Sequence, residues 1–151
     1  MAAESGVVLP EPMLEMLSRS PPVLTTVVAT IGEDGGPHTA PFGSLRALSP
    51  ARLRFGCDRT HQTYENILGD ERVAVCILAP PDVAGTIFGR ARVVKEAMEG
   101  IPTDAVLEIA VERVKDDMLP GATILTGTTY RVVDDLEPFL RAYWHEVVEE
   151  A

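Results

Sequence analysis

The chain has 151 residues, 46% of them hydrophobic and 24% charged, which is the size of one ordinary domain burying roughly 68–70% of its unfolded surface. With 23 acidic against 13 basic residues, the formal net charge is −10. That field repels nucleic acid and anionic lipid, so neither is an expected partner. The first six residues carry no basic n-region, and apolar runs such as 73–81 fall far short of the roughly 20 residues that cross a bilayer. A cytoplasmic location is expected.

In chain order, Met13, Leu14, Met16 and Leu17 fall at helical spacing before Pro21-Pro22, which predicts a short covering helix over 11–20. Residues 25–31 are rich in β-branched side chains, and Gly32-Glu33-Asp34-Gly35-Gly36 supplies the turn of a hairpin. The return strand, 38–48, contains Pro41 and follows Pro37. Proline cannot donate to a ladder, so this strand is expected at an edge and distorted. Alternation over 52–57 predicts a third strand. A short helix over 64–68 ends near Gly69, and the apolar run 72–78 makes a fourth strand. A fifth strand, 86–94, contains Gly89, which suggests a bulge or a close backbone approach. Val106, Leu107, Ile109, Ala110, Val111 and Val114 form a broad apolar stripe between Thr103-Asp104 and Pro120-Gly121, read as a capped helix. Residues 122–133 are read as a sixth strand. A last helix, 136–148, places Phe139, Leu140, Tyr143, Trp144 and Val147 on its apolar side.

Six strands with tight early turns and irregularly placed helices do not give the alternation of a parallel doubly wound sheet. A mainly β (α+β) antiparallel barrel with helices packed outside fits better. Cys57 and Cys76 lie in apolar runs and form no CxxC pair, so buried thiols are expected. His38, His61 and His145 are too widely spaced for a metal site, and none is expected. His38 is expected at the surface, and Asn66 is read as a structural amide that ties down a loop. No nucleophile elbow surrounds Ser44, so hydrolase chemistry is not expected.

The chemically richest stretch is Arg59-Thr60-His61-Gln62-Thr63, where a strand gives way to a helix. Unpaired N–H groups and the positive end of the helix dipole there suit a phosphate. Ordinary capping by Asp58 or Thr60, with Arg59 and Gln62 solvated, is the other reading of the same residues.

Continued from His61 through Val73, and taken with 29–38 and Gly89-Arg90-Ala91-Arg92-Val93-Val94, this order resembles the pyridoxamine 5'-phosphate oxidase-like split-barrel family, and within it the small bacterial FMN-binding proteins. The resemblance implies a six-stranded antiparallel Greek-key split barrel with flanking helices, acting as a homodimer with FMN between the subunits. It implies phosphate binding at His61, Gln62 and Thr63, with Arg59 swinging in to supply positive charge and Cys57 also against the cofactor. It also implies that Phe42, Gly43, Ser44 and Leu45 run along the isoalloxazine ring. Many family members carry Ser-Arg-Lys where this chain has His61-Gln62-Thr63, and the acidic C-terminal segment argues against oxidation of pyridoxamine phosphate itself. The expected activity is a flavin-dependent oxidoreduction with no essential side chain and a nicotinamide nucleotide or redox protein as donor. A non-enzymatic electron carrier, or a barrel holding deazaflavin or haem, are the alternatives.

Overall fold

The computed structural model describes residues 3–6, 8–19 and 26–150. The strands are β1 (Ala3–Gly6), β2 (Thr26–Ile31), β3 (Pro37–Phe42), β4 (Arg46–Ser49), β5 (Arg52–Asp58), β6 (Arg72–Ala79), β7 (Val83–Lys95) and β8 (Asp104–Asp116). The helices are α1 (Glu11–Ser18), α2 (Gln62–Gly69) and α3 (Glu137–Val148). The strands form one antiparallel sheet in the order β3-β2-β6-β7-β8-β5-β4, with β1 also paired to β8. Eight strands replace the expected six, because the return strand divides into β3 and β4, β1 and β8 join the sheet, and the strand expected over 122–133 is not formed.

The sheet curls but does not close. Its edge strands β3 and β4 share no ladder, yet the rings of Phe42 on β3 and Phe55 on β5 approach to 4.8 Å. Inside the curl sit Val28, Leu53, Phe55, Val75, Ile77, Ile87, Leu107 and Ile109, all fully buried. This is the split barrel. The hairpin between β2 and β3 turns as its sequence requires: Gly35 takes a φ of +80°, and Asp34 Oδ1 accepts from Gly36 N at 2.8 Å. Pro37 and Pro41 stand on the edge strand β3, as their missing N–H groups demand.

Two sequence expectations are overturned. The segment read as a capped helix after Thr103-Asp104 is β8, paired to β7 along most of its length and to β5 over Asp104–Ala110. Its inner face, Ala105, Leu107 and Ile109, fills the barrel, while Val106 packs outward against Val147 of α3. A strand buried on both faces loses its period-two alternation, and the remaining continuous apolar run also satisfies a helical stripe. Residues 122–133, read as a sixth strand, belong to no ladder among the described residues. Their β-branched content is real, but Leu125 stands 86% exposed, and propensity without a pairing partner and a burying face makes no strand. The stop at Pro21-Pro22, the last residue of the expected first helix, Ser20, and the first residue of the strand expected over 25–31, Thr25, lie outside the described residues.

On the outer face of β8 a buried carboxylate, Glu108, gathers three guanidinium groups: Arg52 at 2.9 Å, Arg92 at 3.0 Å and Arg54 at 3.4 Å. Arg54 in turn donates to the Glu149 carbonyl at 3.2 Å, and Arg52 pairs with Glu150 at 2.9 Å, so the end of α3 is tied to the sheet. Pairing keeps the cost of burying Glu108 tolerable. Closer to the barrel mouth, Gly56 lies under the Tyr143 ring, where a Cβ would fall 2.2 Å from the phenol oxygen.

The bulge expected at Gly89 is present as a register shift between Phe88 and Gly89 against β8. A Cβ there would sit 2.3 Å from the Ala110 carbonyl oxygen. Gly89→Ala should therefore lower unfolding free energy by about 1–3 kcal/mol, as overpacking against rigid backbone does. Equilibrium denaturation checks this.

Candidate functional site

The turn into α2 is built by Asp58. Its carboxylate accepts from both Thr60 N and Thr60 Oγ1 at 2.7 Å, and its carbonyl accepts from His61 N at 3.0 Å. The backbone and hydroxyl donors of Thr60 hold the Asp58 carboxyl below its ordinary range. Neither Asp58 nor Thr60 caps the helix. The N-cap is His61, whose Nδ1 accepts from Thr63 N at 3.1 Å. An accepting Nδ1 places the imidazole proton on Nε2, leaving that nitrogen as a donor.

Behind the turn, polar side chains lock α2 to the hairpin. Gln62 Nε2 donates to Asn66 Oδ1 at 2.8 Å, and buried Asn66 donates to Thr30 Oγ1 on β2 at 3.0 Å. Asn66 thus has the structural role its sequence position suggested. Thr63 is fully buried and its Oγ1 has no hydrogen-bond partner. Arg59 lies away from this turn, donating to the carbonyls of Glu96 and Pro102.

Two further rings stand beside His61: Phe42 at 5.6 Å and His38 at 6.4 Å between centroids. His38 is half-buried, with a buried Nε2 that has no partner, so the surface position expected of it is corrected. The missed signal was the two-residue register: β3 pairs His38 with Thr30, the residue that anchors Asn66. A cavity of about 530 Å³ opens here between the hairpin turn and α2, bordered by His38, Gln62 and Asn66.

From Phe42 the chain leaves the ladder at Gly43, Ser44 and Leu45 before β4 begins. Leu45 points into the core. Ser44 Oγ accepts from Gly56 N at 3.0 Å, a bond that continues the β4–β5 register beyond Arg46 and Arg54. Beyond Ser44 lies a second cavity, of about 420 Å³, roofed by Tyr130 and the aromatic side of α3. On its wall Tyr143 donates its hydroxyl to Asp104 Oδ2 at 2.6 Å. Burial, and then the Asp104 carboxylate, push the Tyr143 phenol far up, so it remains a donor.

The structure brings Phe42 beside His61 at the start of α2, where Gln62 and the fully buried Thr63 follow, and Gly43 and Ser44 continue the chain directly from Phe42. The side chains of Leu45 and Cys57 face the core, and the Arg59 guanidinium serves a neighbouring loop. Cys76, expected to be buried, is exposed because β6 turns it to the outer face. Among the described residues no group of His, Cys, Asp and Glu is placed to hold a metal ion, and no helix is long and apolar enough to cross a membrane.

An open antiparallel barrel with a helix N-terminus beside an interrupted edge strand defines a class of fold, and comparison with known proteins gives it a family. The family model described as pyridoxamine 5'-phosphate oxidase matches residues 11–118, and the chain belongs to that family. A structure of a candidate pyridoxamine 5'-phosphate oxidase from Lactobacillus delbrueckii is 24% identical, with a TM-score of 0.60 over 73% of this chain and 95% of that one. An F420 reductase is 17% identical, with a TM-score of 0.59 over 70% and 98%. An FMN-binding protein from Syntrophomonas wolfei is 11% identical, with a TM-score of 0.56 over 72% and 88%. At these identities the structural likenesses speak for the fold alone. No curated protein sequence matches the chain.

Burial pushes the Cys57 thiol up to about 12. Because alkylation needs the thiolate, a raised value keeps Cys57 unreactive below that pH. Iodoacetamide at pH 8 should leave Cys57 unmodified in the native protein and modify it in denaturant, as peptide mass spectrometry would read.

Proposed function

We propose that this chain binds FMN and works as a flavin-dependent oxidoreductase. The observation that carries the reading is the contact between Phe42, the last residue of β3, and His61, the N-cap of α2, at 5.6 Å between ring centroids, so that the backbone leaving the ladder at Gly43 and Ser44 starts beside that helix end. The residues fit the cofactor's two ends. The start of α2 offers Gln62, His61 Nε2 and the helix dipole to a phosphate, while Thr63 is fully buried and its N–H is taken by His61 Nδ1. The segment at Gly43 and Ser44 offers backbone groups outside any ladder to a flavin's polar edge. When bound, the isoalloxazine would supply the electron or hydride transfer, while the protein contributes position and exclusion of water. With Arg59 engaged elsewhere, phosphate binding rests on neutral hydrogen bonds and the dipole.

The fold's likeness to an F420 reductase favours deazaflavin as the second reading. Titration with each cofactor, followed by visible absorbance, separates the two: FMN should bind and shift its bands, and a preparation that takes up only the deazaflavin would replace this reading. His61→Asn keeps an N-cap side chain but removes the imidazole donor. Combined with Gln62→Ala, it should weaken FMN binding by about 1.5–3 kcal/mol, read as the dissociation constant. An unchanged constant would remove the phosphate from this turn.

A homodimer accompanies this reading. The outer face of the sheet carries Val27, Ala74, Cys76 and Leu78 side by side through the β2-β6 pairing, with the Phe88 ring next to them under the Arg113 guanidinium. Leu78 is 56% exposed. An antiparallel sheet face open to water is ordinarily polar, and a contiguous apolar patch marks an interaction surface. Leu78→Asp should convert a dimer into a monomer in sedimentation equilibrium, with the far-ultraviolet circular dichroism unchanged.

A further inference from the structure

We infer that the aromatic cavity under α3 is the substrate subsite, and that it takes a flat one- or two-ring aromatic molecule bearing an N–H donor group. This rests on the flavin reading above, because Ser44 belongs both to the proposed ring-bearing segment and to the wall of the cavity. A molecule held there therefore abuts whatever lies along that segment.

At about 420 Å³ the space is within the size range of small-molecule sites and suits one or two fused rings. Tyr130, Phe139, Tyr143 and Trp144 give it aromatic faces, which favour a flat ring over a branched aliphatic chain. Polarity is concentrated at one wall, on Ser44 and Asp104. Asp104 is buried and accepts from Tyr143 Oη at 2.6 Å and, at 3.3 Å, from Thr103 Oγ1. Each carboxylate oxygen has two acceptor positions, so two hydroxyl contacts leave room for a ligand's donor. The Tyr143 contact fixes the carboxylate's orientation, and Gly56 lets the Tyr143 ring lie directly on β5. An acceptor at the end of an aromatic slot selects for a ring-borne N–H and against a bare hydrocarbon. All four aromatic residues follow residue 118, where the match to the family model ends. The aromatic faces are thus built by the part of the chain beyond the family match, and the polar wall, Ser44 and Asp104, by the part within it.

Trp144 is the sole tryptophan, so intrinsic fluorescence reports on this cavity directly. The probes are benzamidine, which carries a forked N–H donor, and toluene, a ring without one, each titrated into the FMN-loaded protein. Benzamidine should change Trp144 emission saturably, with a dissociation constant at least tenfold lower than that of toluene. Asp104→Asn should abolish that preference while leaving toluene binding in place. Tyr143→Phe, which frees the carboxylate's orientation, should reduce the preference without abolishing it. Equal affinity for the two probes in the unmodified protein, or no saturable change with benzamidine, would overturn the inference without any variant. Flavin absorbance keeps the two readings apart. If FMN binds and benzamidine does not, the subsite alone falls; if benzamidine binds to protein that takes up no FMN, the cavity stands and the flavin reading falls.

Discussion

The structure depends on β8 being a strand buried on both faces. It pairs with β7, β5 and β1, and so joins the two arms of the curled sheet. Its inner residues make the barrel core, and its outer residues make the floor on which α3 lies. Of the two buried carboxylates on that floor, Asp104 accepts from Tyr143 and Glu108 is held by three arginines from β5 and β7. A lone buried carboxylate would be costly, and a fully paired one is tolerable and fixes register. Because Arg52 and Arg54 also hold Glu150 and the Glu149 carbonyl, the same pairing seats the C-terminal end of α3.

That seating determines what the open side of the barrel can do. The two sides of the opening meet through the Phe42–Phe55 ring contact instead of a ladder, and the chain between β3 and β4 leaves the backbone at Gly43 and Ser44 outside any ladder. At one end of this gap, α2 presents its N-terminus, anchored by the Gln62–Asn66–Thr30 chain. At the other, α3 brings Phe139, Tyr143 and Trp144 over Asp104. The proposed cofactor groove and substrate cavity are consequences of a barrel that stops short of closure.

Much of the candidate site was legible in the primary structure, and for identifiable reasons. Prolines 37 and 41 exclude a central strand, so β3 had to be an edge. Gly89 had to mark a bulge or close approach, and it marks both. His61, Gln62 and Thr63 sit where a strand runs into a helix, as their neighbours indicated. The direction of each side chain was not legible: Arg59 turns to two carbonyls and His38 turns inward toward His61, because both are set by contacts distant in sequence.

The sequence by itself determined the antiparallel hairpin, the distorted edge strand, the position of α2 and the apolar side of α3, because each follows from local periodicity, proline or glycine. Only the tertiary structure decided that 104–116 is a strand and 122–133 is not. The first is a strand because neighbours on both edges supply its hydrogen bonds and layers on both faces bury it. The second has the propensity but no ladder. Secondary structure there is a property of what lies alongside, which local sequence does not contain.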